Sequence, residues 1–191
     1  FFVHLKLLDP NRFRLLEEFM RPDFSVGYVG RFVRAKGFDR YLELANTFPN
    51  RAVRFRAVGP NTDGFTIPAN LEHSDYVENS RLAEIYSAID LLVLPDMRYF
   101  LGFYTVIQEA LMCGTEVAVG TLNRAFFPTG AGVFFFDPDR PTDLTAFIAR
   151  RAQQTFAEKI AGREALGEEY RQAADEAGFL SELDKQLSGH A

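Results

Sequence analysis

The stretch from Phe24 to Ala45, FSVGYVGRFVRAKGFDRYLELA, constrains the fold of this chain more than any other part of it. Phe24 to Val29 reads as a buried strand, Gly30 as a tight turn, and the loop that follows carries Arg31 and Lys36. A helix is predicted to begin at Gly37 or Phe38. Its apolar residues Phe38, Tyr41, Leu42, Ala45 and Phe48 recur at three- and four-residue intervals, which places them on one buried face. A strand, a glycine loop and a helix N-terminus in succession are how α/β proteins bind phosphate, because glycine admits close backbone approach and the helix end presents unpaired N–H groups. Two cations beside the turn suit a diphosphate. The alternative at this point is a turn with no ligand.

The rest of the chain repeats the alternation. Ala52 to Val58 reads as a second strand ending at Gly59-Pro60, with a loop from Asn61 to Asn70 and a short third strand within Leu71 to Val77. Asn79 or Ser80 is a good N-cap for a helix whose buried face is Leu82, Ile85, Tyr86 and Ile89. LLVLP after Asp90 is the continuous apolar run of a central parallel strand. The loop from Pro95 to about Tyr104 leads to the helix TVIQEALMC, stopped by Gly114. Strands follow at Glu116 to Gly120 and Gly132 to Phe136, and Pro141-Thr142-Asp143 opens a helix through about Thr155. From Phe156 onward the chain reads as charged helix interrupted at Gly162, Gly167 and Gly178. Alternating strands and helices imply right-handed βαβ units, hence a Rossmann-like, mostly parallel sheet with helices on both faces.

With 191 residues the chain can bury one sizeable α/β core. Its net charge of -5 argues against general nucleic-acid affinity. The single Cys113 excludes an internal disulfide framework and fits a reducing compartment. His4, His73 and His190 are too scattered to suggest a zinc site, and no metal is expected. No apolar run approaches the ~20 residues that span a bilayer. The first residue is Phe1 rather than Met, which reads as a piece of a longer protein.

In such a sheet ligands bind at the carboxyl ends of the strands, where the loops Gly30 to Gly37, Gly59 to Gly64 and Pro95 to Tyr104 fall. Glu109 is the one acid of TVIQEALM and reads either as a solvated helix residue or as a carboxylate that accepts two hydrogen bonds from vicinal hydroxyls, such as a ribose. Asp63, Glu78, Asp96 and Arg98 are weaker candidates. Cys113 reads as buried packing with no nearby cation to lower its pKa. There is no Ser-His-Asp signature, HExxH or Walker A motif.

The order GRFVRAKG, RFRAVGPN, LAEIYSAIDLLVLPD, GFYTVIQEALMCGTEVAVG resembles the C-terminal, donor-binding domain of retaining GT-B glycosyltransferases, most closely their group-four family. The resemblance runs from about Asp9 to Ile148, and DPNRF at Asp9 to Phe13 looks like that family's interdomain segment. It implies one half of a GT-B fold: a linker over 1–23, a Rossmann-like donor domain over 24–155, and a helical segment over 156–191. Leu166, Tyr170 and Ala174 of that segment are expected to pack toward an acceptor-binding N-terminal domain that this chain lacks.

The resemblance further implies that Arg31 and Lys36 hold the donor diphosphate and are the catalytic cations, doing a job done elsewhere by a metal. Gly30 is the turn residue beside them. Glu109 is the second acid of the family's E-x7-E motif and binds the ribose. Backbone at Phe103, Tyr104 and Thr105 meets the phosphates, and backbone at Tyr76 and Val77 contacts the base. Two positions depart from the pattern: Leu101 replaces the first acid, and Tyr104 stands where glycine is usual.

The implied activity is sugar transfer from a nucleoside-diphosphate sugar to a sugar, lipid or protein acceptor hydroxyl with retention. It needs no cofactor beyond the donor, and the isolated domain is expected to be inactive. A cytoplasmic site follows, with peripheral membrane association as a family alternative. Leu101 and the absent half also fit a non-catalytic nucleotide- or partner-binding module. A GT-B epimerase would share the architecture but needs further acids and a His near the sugar.

Overall fold

The computed structural model describes residues 8–48, 53–95, 105–121 and 131–174. They hold six strands: β1 (Phe24–Val29), β2 (Val53–Val58), β3 (Leu71–Ser74), β4 (Leu91–Leu94), β5 (Glu116–Gly120) and β6 (Val133–Phe136). Five α-helices accompany them: α1 (Phe38–Asn46), α2 (Leu82–Ser87), α3 (Thr105–Met112), α4 (Thr142–Arg151) and α5 (Phe156–Ala174). The strands form one sheet in the order β3-β2-β1-β4-β5-β6, parallel throughout. The Rossmann-like fold expected from the alternation is the one observed.

Burial explains the strand sequences. β1 lies inside the sheet, and a hydrophobic core packs against each of its faces, so the strand can be apolar almost throughout. Phe24, Val26 and Tyr28 enter a core with Phe38, Tyr41, Leu44 and Ala45 of α1 and Leu144 and Ile148 of α4. On the opposite face a second core gathers Ala83 and Tyr86 of α2, Ile107, Ala110, Leu111 and Met112 of α3, and Leu166 of α5. Gly27 belongs to this second face: a Cβ there would lie 2.5 Å from the Ile89 side chain, so glycine lets the end of α2 settle onto the strand. The aromatic pair Phe32 and Phe38 stacks at 4.1 Å between ring centres and joins the loop after β1 to the first core.

β2 is covered on one face only. Val53, Phe55 and Ala57 are buried, while Arg54 and Arg56 point away from that core. Arg54 donates to Asp23 at 2.7 Å, and Arg56 lies 3.1 Å from Glu72 of β3.

A buried ion cluster closes the amino edge of the sheet. Asp90, 6% exposed, precedes β4 and accepts the Ser25 N–H of β1 at 2.8 Å. Its two oxygens meet Lys159 at 3.0 Å and Arg163 at 3.2 Å, both from α5. Lys159 also donates to the carbonyls of Arg21 and Asp23, and Arg163 to those of Ser87, Tyr86, Gly114 and Cys113. Burial lowers the Arg163 pKa, and Asp90 opposes that shift. A cavity of about 290 Å³ adjoins the cluster, but its charged walls at Asp90, Lys159 and Arg163 are already paired with one another.

Several local expectations are corrected. α5 runs unbroken through Gly162 and Gly167. At Gly167 an added Cβ would lie 2.9 Å from the Met112 carbonyl, so this glycine admits close helix packing rather than ending the helix. Leu166 and Tyr170, expected to face a further domain, lie in or against the second core, where Tyr170 donates to the Ala131 carbonyl at 2.8 Å. Asn79 and Ser80 form a 3-10 turn ahead of α2 and supply no side-chain cap. α4 stops at Arg151, short of Thr155.

Removing one member of a buried, hydrogen-bonded ion cluster strands the others without compensation. Asp90→Ala is therefore expected to lower unfolding stability by about 3–5 kcal/mol. Urea denaturation checks this, and a loss below about 1 kcal/mol, as for an exposed pair, would contradict the role assigned to the cluster.

Candidate functional site

The chain builds outward from β1 through β2 to β3, then crosses back to place β4 on the other side of β1. The carboxyl ends of β1 and β4 thus flank a topological switch point, where open α/β sheets bind ligands. Gly30 leaves β1 with φ 146°, and its N–H still bonds the Val58 carbonyl at 2.9 Å. Gly59 makes the matching turn after β2, and a Cβ on it would lie 2.0 Å from the Gly30 carbonyl oxygen. The two turns can touch because Gly59 carries no Cβ, while Gly30 supplies the positive φ of the first turn.

The loop between Gly30 and α1 is fixed from three sides. Tyr28 donates from its hydroxyl to the Arg31 carbonyl at 2.9 Å. Asp63, 29 residues further along, accepts the Arg34 N–H at 2.9 Å, and its own N–H bonds the Phe32 carbonyl. Gly37 has φ 69°, and a Cβ there would lie 2.2 Å from the Pro95 carbonyl oxygen, so the loop presses against the end of β4. Within it the Lys36 ammonium lies 3.8 Å from the position a Gly30 Cβ would take. Arg31 is exposed. Gly30, Arg31 and Lys36 are thereby gathered at the carboxyl edge.

Thr105 opens α3 and is half-buried, and Glu109 lies one turn in. Glu109 is buried at 9% exposure, so it is not the solvated helix residue of the simpler reading. Its Oε2 accepts the Tyr86 hydroxyl of α2 at 2.7 Å. Burial first, then the Glu109 charge, pushes the Tyr86 pKa well above the usual phenol range, which keeps the hydroxyl a donor. Tyr76 and Val77 follow β3 at its carboxyl end, and Tyr76 is 77% exposed. Phe103 and Tyr104 lie outside the described residues, as do Leu101, Asp96 and Arg98. Sequence reasoning missed Tyr86 as a partner of Glu109 and Asp63 as the anchor of the cationic loop. It treated Tyr86 only as one of a row of helix-spaced apolar residues.

Among the described residues no three His, Cys, Asp or Glu side chains converge to hold a metal ion, and no helix is long and apolar enough to cross a membrane. Cys113 is buried, as expected, but cations do stand near it: Arg163 and Arg171 pull its pKa down, while burial outweighs them and pushes it up to about 12.

These elements define a Rossmann-like α/β domain with a cationic glycine loop and a buried helix carboxylate around its switch point. Residues 23–154 match the family described as Glycosyl transferases group 1, and the chain belongs to that family. No curated protein sequence matches it significantly.

Among solved structures, sucrose-phosphate synthase from Thermosynechococcus elongatus is 20% identical with a TM-score of 0.70, over 96% of this chain and 52% of that one. Alr3699/HepE from Anabaena, solved in complex with UDP-glucose, is 17% identical with a TM-score of 0.71, over 95% and 56%. The C-terminal domain of LpcC, a glycosyl transferase group 1 family protein from Francisella tularensis, is 11% identical with a TM-score of 0.66, over 87% and 97%. The chain thus has the fold of one half of a GT-B glycosyltransferase and spans about half the length of the larger structures it matches.

The folded thiol's pKa lies above its ordinary value of 9.0, so the stability it contributes is intact below about pH 9 and is lost as pH rises toward 12. Cys113 should resist iodoacetamide at pH 8.5 in the native protein and react in urea. The stability of Cys113→Ala should fall less steeply above pH 9 than that of the parent. Rapid native alkylation would contradict the burial.

Proposed function

We propose that this chain is the donor-binding domain of a retaining glycosyltransferase that takes its sugar from a nucleoside diphosphate. The observation that carries this reading is the pairing of Gly30 with the Lys36 ammonium at the carboxyl end of β1, on a loop pressed against the end of β4. A diphosphate seated there would meet Lys36 and Arg31, whose charges offset the negative charge that develops as the nucleotide leaves. Thr105, at the start of α3, would add backbone N–H groups, together with Phe103 and Tyr104. Glu109 would accept the ribose hydroxyls. The base would lie toward Tyr76 and Val77, since β3 stands two strand spacings, roughly 10 Å, from β1.

Alr3699/HepE was solved with UDP-glucose, which supports a nucleotide-sugar donor for a chain of the same fold. Retention follows in this reading from an acceptor hydroxyl attacking on the face the diphosphate leaves, with no protein nucleophile. Sugar, lipid or protein acceptors would be bound by a second, N-terminal domain of the intact protein, and the donor domain alone would not turn over. No metal and no further cofactor enter this scheme. Leu101, standing where the family has an acid, favours one second reading: a module that binds a nucleotide without transferring sugar.

Calorimetric titration with UDP, GDP and ADP tests the site. One of them should bind, and Lys36→Ala should weaken it by about tenfold or more, the scale of a lost charged hydrogen bond. A folded chain that binds none of the three, or binds equally well as Lys36→Ala, sinks the diphosphate assignment. Turnover by the intact protein would then separate the enzyme from the non-catalytic module.

A further inference from the structure

Glu109 and Tyr86 sit on different helices, 23 residues apart, and meet in a buried contact. Tyr86 has no exposed surface, and its hydroxyl is 2.7 Å from Glu109 Oε2. A carboxylate with so little access to water needs fixed donors, because each one missing leaves a desolvated charge unsatisfied. The last torsion of a glutamate is broad and roughly two-fold, so packing alone orients its carboxylate poorly. A rigid donor on one oxygen determines how the whole group lies.

Tyr86 is held firmly enough to act as that donor. Its carbonyl accepts Thr115 Oγ1 at 2.7 Å and the Arg163 guanidinium at 3.0 Å. Its ring lies 6.4 Å, centre to centre, from that of Phe13. The backbone and the ring are therefore fixed by three separate segments before the hydroxyl reaches Glu109.

We propose that Tyr86 is a positioning residue: its phenol sets the Glu109 carboxylate in the orientation that recognises the 2′-hydroxyl of a ribonucleotide. This rests on the assignment of Glu109 to the ribose. It assigns the ability to distinguish ribose from deoxyribose to a residue that touches no ligand. A structural phenol that only satisfies a buried carboxylate would affect ribo- and deoxyribonucleotides alike. A positioning phenol affects only the ribonucleotide.

Tyr86→Phe removes one oxygen and keeps the ring in the core. The probes are UDP, GDP and ADP beside their 2′-deoxy counterparts, titrated calorimetrically into the parent chain and the variant. The parent should prefer the ribo form of the base it binds by about tenfold, the scale of one hydrogen bond to a charged group. Tyr86→Phe should lose most of that preference while its affinity for the 2′-deoxy form stays within about twofold. Glu109→Gln should erode the preference in the same way. An unchanged preference in Tyr86→Phe, or an equal loss for both forms, overturns the positioning role and leaves the ribose assignment of Glu109 standing. A parent that binds nucleotide without preferring ribose overturns the Glu109 assignment and this inference together, and one that binds no nucleotide overturns the diphosphate site as well.

Discussion

Asp90 is the residue on which the architecture converges. One carboxylate, out of water, holds the start of β1 through Ser25 and two side chains of α5 through Lys159 and Arg163. Those cations carry the connection onward to the segment before β1 and to the C-terminal end of α3. The attraction within such a cluster mostly offsets the cost of desolvating it, so its net contribution is small compared with the damage done by removing one member. What it supplies is geometry. The alternative placements of α5 would leave an unpaired charge inside the protein.

The ends of the sheet are built on different physics. The amino edge is knitted by charge. The carboxyl edge depends on the absence of side chains: Gly59 and Gly37 allow backbone to meet backbone at distances no Cβ would permit, and Gly30 turns with a positive φ. Lys36 and Arg31 therefore sit on a loop held by close backbone approach and by the Tyr28 and Asp63 hydrogen bonds. Exchanging a cation there changes the charge offered to a ligand and leaves the loop's path to the glycines, Tyr28 and Asp63.

The fold was legible where the physics is local. A buried strand ahead of a glycine turn marked β1, a continuous apolar run marked β4, and Glu116 to Gly120 was read with the boundaries β5 has. The cationic turn was legible as well, because a strand, a glycine and a helix carry their signal within one short stretch. Gly162 and Gly167 misled because a glycine costs an exposed helix only about 1 kcal/mol, and α5 is anchored by tertiary contacts at Lys159, Arg163 and Leu166. Gly167 marks close approach to α3. Glu109 was legible as an unusual acid, but its bond to Tyr86 spans two helices and has no signature in spacing. The Asp63 contact with Arg34 was hidden for the same reason, since only the folded sheet brings the ends of β1 and β2 together.

The uncovered face of β2 and β3 has a consequence for the protein in a crowded solution. Arg54, Asp23 and Glu72 make ion pairs open to water that hold the fold together weakly, and Arg56 reaches Glu72 from a half-buried position. They do keep a strand-lined flank hydrated. Another sheet laid against it would have to strip several charges of their water, and β3 at the margin is only four residues long. This flank guards against sticking, a property that unfolding experiments on dilute protein do not register but that governs how concentrated the molecule can become before it associates with itself.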